Sequence, residues 1–266
     1  ANWRTGFVAA AAAALLIVSA YAAVTLLGPK DVAREAGKET LAAAFESESA
    51  IEVNETKTVG DYKVTLMGLV SGEGLNRVEN LPNGVTRDKT YAVLAYTRTD
   101  GTAITEDVPD LTVSPLVEGY APWVVNAWTL SGGTSTFAQD GVLYYLFECD
   151  NVEPFADRTV YLAVYPGTHI PPSTENFAIS DEGHISVADG SEAVLFTLPL
   201  APAKADPQKV AGMGFDTPTG DEPFNGEIRL TPEEPVENSS DADVEVKDYT
   251  QTQPISLPSP VPSTHP

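Results

Sequence analysis

Residues 141–150 read GVLYYLFECD, and the fold turns on how this stretch is disposed. Alternate residues of a strand point to opposite faces. Val142, Tyr144, Leu146 and Glu148 therefore share one side, and Leu143, Tyr145, Phe147 and Cys149 the other. Both rows are largely apolar, which predicts a central strand covered on both faces. Cys149 is the only cysteine. It falls in the row of Leu143 and Phe147, where a thiol behaves as a small hydrophobe. Its neighbours Glu148 and Asp150 also disfavour the thiolate that a nucleophile needs. A lone cysteine forbids an intrachain disulfide.

The period of two recurs on either side: in YKVTLMGLV (62–70), TYAVLAYTR (90–98), and at Leu111–Val117, Trp123–Leu130, Thr159–Tyr165, His184–Val187 and Ala193–Leu198. In the first of these, Tyr62, Val64, Leu66 and Gly68 are expected on one face. Between the runs stand Asn83-Gly84, Asp100-Gly101, Gly132-Gly133, Asp140-Gly141 and Asp189-Gly190, residues that tolerate the positive φ of tight turns. About eight short strands without an intervening helical pattern predict a mainly β domain over residues 56–200, an antiparallel sandwich or barrel.

Upstream, FVAAAAAALLIVSAYAAVTLL (Phe7–Leu27) carries no charge. At about 1.5 Å per residue it spans a hydrocarbon core, so a transmembrane helix is expected. Ala20-Tyr21-Ala22 offers a signal-peptidase site, but the apolar run exceeds the usual length of a signal peptide's core. The N-terminal segment 1–6 is assigned to the cytoplasm and the β-domain to the outside of the cell membrane. Residues 28–55 read as a helical stalk and linker: Arg34/Lys38 and Glu35/Glu39 lie one turn apart, Leu41, Ala44 and Phe45 make a short apolar face, and Gly37 weakens the helix. Residues 201–266, rich in Pro, Asp and Glu, read as an acidic tail that cannot offset its ordering entropy.

A formal net charge of -23 argues against a nucleic-acid partner, which would require clustered Lys and Arg; the acidity is read as solubility and distance from an anionic envelope. No HExxH, CxxC, GxSxG or phosphate-cradling glycine loop occurs, and GEG at 72–74 lacks the glycine and helix that should follow. A dyad of Cys149 with His169 needs a proximity that sequence does not supply. The acidic loops at 100–110 and 180–190 do not match the ligand spacing of a calcium loop. No catalytic residue, metal or cofactor is therefore expected. Tyr120, Trp123 and Trp128 form the candidate ligand face, for a sugar or a peptide. Trp123 and Trp128 differ by an odd number, so a straight strand would set them on opposite faces.

GDYKVTLMGLVSG, TYAVLAYTRTDGT, VSPLVEGYAPW and FAQDGVLYYLFECDNVEPFADRTVYLAV, spanning Gly60 to Val164, together resemble an extracytoplasmic β-rich domain of unknown function from Gram-positive bacteria. That domain commonly follows one membrane helix, and some of its relatives are described as membrane-anchored anti-sigma factors. The resemblance implies a protein partner in an envelope signalling system, and it implies no catalytic residues. Anti-sigma factors of this kind hold their sigma factor through a cytoplasmic N-terminal segment; here Ala1–Gly6 precede the helix. The expectation is a non-enzymatic, single-pass membrane protein with a sensing or binding domain, in contact with the lipid bilayer through its helix. The alternative is a cell-surface carbohydrate-binding protein or hydrolase without a recognisable motif.

Overall fold

The computed structural model describes residues 25–71, 85–86, 88–105, 108–168 and 170–215. Within it, β6 (Val142–Asp150) lies between β3 (Lys89–Arg98) and β5 (Gly133–Gln139), antiparallel to both. Its central place follows from its two apolar rows. β1 (Ile51–Val59) and β2 (Tyr62–Ser71) complete a five-stranded sheet in the order β1-β2-β3-β6-β5. A second sheet has the order β10-β7-β4, from β4 (Leu111–Val117), β7 (Val160–Pro166) and β10 (Val194–Thr197). β8 (Phe177–Ile179) and β9 (Ile185–Val187) form a separate hairpin. Without β1, the orders β2-β3-β6-β5 and β10-β7-β4 are those of a constant-type immunoglobulin sandwich. Strand order alone carries no function.

Three apolar clusters divide the described residues into four layers. Between the sheets lie Val64, Leu94, Tyr96, Leu143, Phe147 and Cys149 from one side and Val113, Leu162, Val164 and Phe196 from the other. The outer face of the large sheet, with Met67, Val70, Tyr91, Val93, Tyr144 and Leu146, is covered by Val32, Ala33, Leu41, Ala42 and Ala44. Those covering residues belong to α1 (Pro29–Glu35) and α2 (Glu39–Phe45). The outer face of the small sheet, with Leu116, Ala163 and Tyr165, meets Phe177 and Ile185 of the β8-β9 hairpin.

The segment expected to be a stalk is thus a layer of the fold. Gly37 adopts φ 72°, a left-handed conformation that only glycine takes freely. The Lys38 amide then donates back to the Ala33 carbonyl (2.9 Å), closing α1 and turning the chain into α2. Lys38 reaches Glu148 of β6 at 3.4 Å, fastening the turn to the sheet. Thr25–Leu27, the end of the expected membrane span, is not helical; Leu26 and Leu27 pack on the same outer face, and the Leu27 amide donates to the Tyr144 hydroxyl at 3.0 Å. The remainder of that span, Phe7–Val24, lies outside the described residues, as do Asn83-Gly84, His169 and the tail from Asp216. Among the described residues no helix is long and apolar enough to cross a membrane.

The expected common face of β2 breaks at Met67. Leu66 pairs with Leu94 and Gly68 with Val93, so Met67 is an extra residue, and from there the inward set changes from Val64 and Leu66 to Leu69. Such a bulge reverses the alternation that a regular strand keeps. Gly68 is required there, because a Cβ would meet the Ile51 carbonyl oxygen at 2.8 Å. At the other end, the fold runs past Leu200: α3 (Pro207–Gly212) buries Val210, and Met213 and Phe215 pack on the inter-sheet core. The first fifteen residues of the expected tail therefore belong to the domain.

Cys149 is 1% exposed, and burial, reinforced by Asp150 and Glu148, pushes its thiol well above the ordinary range. Cys149→Ala should cost roughly 1–2 kcal/mol through the lost packing volume. Thiol labelling of the folded chain at neutral pH should be slow. Rapid modification would mean a site the strand pattern does not allow for.

Candidate functional site

Two strands end the sandwich on one side, β4 in the small sheet and β5 in the large one, and they do not seal it. The inward row of β5 is Thr134, Thr136 and Ala138, opposite Phe147, Tyr145 and Leu143 of β6. All three of those β5 residues are exposed. A cleft of about 430 Å³ opens here, within the range of small-ligand sites. Its floor is Thr134, Thr136, Tyr145 and Phe147; Leu111, Val113 and Pro109 line the β4 side, and Ala127, Trp128 and Gly132 the other. None of the described residues lining it carries a carboxylate, an ammonium or a guanidinium.

The Trp128 wall is built by turns where a strand was expected over Trp123–Leu130. Asn126 is responsible, being 1% exposed and using its side chain as a local scaffold. Its amide oxygen accepts from the Trp128 amide (2.9 Å) and its amide nitrogen donates to the Pro122 carbonyl (3.0 Å). Such side-chain bonds offer the backbone an alternative to a ladder. The Ala127 amide donates to the buried Ser114 hydroxyl on β4 at 2.8 Å, which ties the turn to the small sheet. Gly132 passes so close that a Cβ would lie 2.8 Å from that of Ala127. Its role is close approach; the positive φ of the turn falls on Ser131 (49°). The result is a hydrogen-bonded loop that leaves Trp128 43% exposed at the mouth.

Tyr145 is 4% exposed, and its hydroxyl has no hydrogen-bond partner among the described residues; the same holds for Tyr96, whose ring lies 4.3 Å from that of Tyr145. Buried hydroxyls without a partner are rare because each forfeits its hydration. Burial, with a smaller contribution from Tyr62, pushes the Tyr145 phenol up to about 12, so it remains a neutral donor at physiological pH. The cleft can therefore hold a neutral ligand against aromatic and aliphatic surface, with threonine hydroxyls beside it. It offers nothing to balance a buried charge.

The three residues read as a ligand face are separated. Tyr120 is buried, edge-on to Phe155 (5.9 Å) and to Phe215 (6.3 Å), with the Arg158 guanidinium 5.4 Å over its ring. Trp123 is half-buried and does not line the cleft. Only Trp128 reaches it. Sequence reasoning missed β5 and Tyr145; the signal was the hydroxyl-bearing stretch GTSTFAQ next to a turn already recognised at Asp140-Gly141. Comparison of the chain with known protein families, curated proteins and solved structures gives no match.

Proposed function

We propose that this chain is a membrane-tethered binding protein, in which the part of the apolar run Phe7–Leu27 that precedes Thr25 holds the sandwich outside the cell and the cleft between β4 and β5 takes the ligand. The observation that carries the reading is the cleft itself: uncharged among its described lining residues in a chain of net charge -23, with Trp128 exposed at its mouth. The resemblance to extracytoplasmic domains beside membrane helices supports a sensing role, with sigma-factor control as its finer form. A second reading, carbohydrate recognition at the cell surface, is favoured by Trp128 beside Ser131, Thr134 and Thr136; an indole stacks on a sugar face while hydroxyls bond its rim.

Protease added to intact cells should digest the sandwich while the protein fractionates with membranes. Full recovery in the medium would replace the tether with a cleaved signal. Titration with chitotetraose, followed by tryptophan fluorescence, tests the second reading; binding that survives Trp128→Ala would remove the cleft from it.

A further inference from the structure

We infer that β5 is a docking strand: an extended segment of a partner protein, with apolar side chains on one face and neutral or basic ones on the other, adds to the large sheet beside β5 and sends alternate side chains into the cleft. The inference rests on the binding role proposed above and specifies the occupant.

A sandwich edge exposes unpaired amides and carbonyls, and proteins guard such edges with charge, proline, bulges or brevity. Three of the four edges here are guarded. β1 carries Glu52, Glu55 and Lys57 and a register shift at Asn54, which sits at φ 55°. β4 has Pro115 at its middle. β10 is four residues long. β5 is seven residues long, has no charge and no proline, and keeps an unbroken register with β6 from Gly133 to Gln139. Among the described residues its backbone bonds only to β6.

The cleft lies at the same edge, and the geometry of a sheet connects the two. A strand added about 4.8 Å from β5 continues the rows of the sheet. Its inward side chains extend the row of Thr136 and Tyr145, which is the cleft floor, and meet Leu111, Val113 and Trp128. Backbone bonds then give affinity and the cleft gives side-chain specificity, as in other strand-addition sites. Charge sets the rest of the chemistry. Asp140 ends β5 and Asp110 stands beside Thr168 at the cleft, both exposed, in a strongly acidic chain. Basic side chains on the outward face of the segment are attracted, and acidic ones repelled.

The test uses the full chain in detergent micelles and an acetylated, amidated heptapeptide, Thr-Val-Lys-Phe-Lys-Val-Thr. Two twins carry N-methyl groups on the even or on the odd amides, which blocks one backbone edge of the peptide at a time. The parent should bind, one twin should bind like it, and the other should lose about tenfold or more through lost backbone bonds. Amide exchange across Gly133–Gln139 should slow in the complex. Thr136→Lys, which supplies the missing guard, should lose the peptide with its thermal midpoint little changed. Absence of parent binding overturns the inference, as does equal binding of both twins, which would leave side chains alone in the cleft. Self-association of the chain that Thr136→Lys abolishes would also overturn it, in favour of a second copy on β5. Chitotetraose binding lost in Trp128→Ala, without peptide binding, would sink strand addition and leave the binding role standing.

Discussion

Leu146→Asp should leave no cooperative unfolding transition. Leu146 is 2% exposed at the middle of β6, flanked by Val93 of β3 and Ser135 of β5, on the face that α1 and α2 cover. A carboxylate placed there loses its hydration among apolar side chains, and Lys38, which reaches β6 along that face, is already paired with Glu148. Removing the leucine volume alone would cost about 2–5 kcal/mol. Burying an unpaired ionisable group adds several more, bringing the sum to the order of the 5–15 kcal/mol that holds a domain together. The measurement is a far-ultraviolet circular dichroism melt beside soluble yield, with Leu146→Ala as the volume control. An aspartate variant that melts like the alanine one would mean that water reaches this face.

Removing residues 1–50 should be nearly as damaging. A stalk could be trimmed without effect on the domain it carries, and here it cannot. The deletion uncovers Met67, Val70, Tyr91, Val93, Tyr144 and Leu146, which are 4% exposed or less in the whole chain. It also removes the Lys38–Glu148 pair and the Leu27 amide from the Tyr144 hydroxyl. At about 25 cal/mol per Å² of apolar surface returned to water, several such side chains amount to a large part of the stability of the domain. The protein beginning at Ile51 is expected to aggregate or to bind a hydrophobic dye, as read by size-exclusion chromatography and fluorescence. A monodisperse product with an unchanged midpoint would refute the packed-layer role.

Legibility in the sequence tracks how strongly a segment's own residues dictate its surroundings. β6 is legible because both its rows are apolar, and its two-residue turn is legible because Asp140 and Gly141 accept positive φ, at 52° and 81°. The antiparallel sandwich follows from many such runs. β5 is not legible, since Thr, Ser and Gln favour no face by hydrophobicity and only pairing with β6 makes them a strand. Trp123–Leu130 alternates well enough to imitate a strand, but Asn126 competes for the backbone. The helix pair was visible as helix; its partner was not, because the apolar stripe of Leu41 and Ala44 is short and says nothing of what it covers. For the cleft, Trp128 was legible as an aromatic and Tyr145 only as core, because an opening between two sheets is a property of neither strand.

The fastening of the helix pair has a mechanical consequence. Tension applied to the chain at Thr25 does not peel the edge strand β1 first. It is carried by the Leu27 amide on Tyr144 and by Lys38 on Glu148, both of which end on β6, the strand held by neighbours on both sides. The load must shear seven-residue helices off the sheet before any of it reaches Ile51. A tether joined in this way behaves as a clamp, so stress entering from the N-terminal side is resisted by the centre of the sheet, and the far edge at β1, three strands from β6, is the last part of that sheet to feel it.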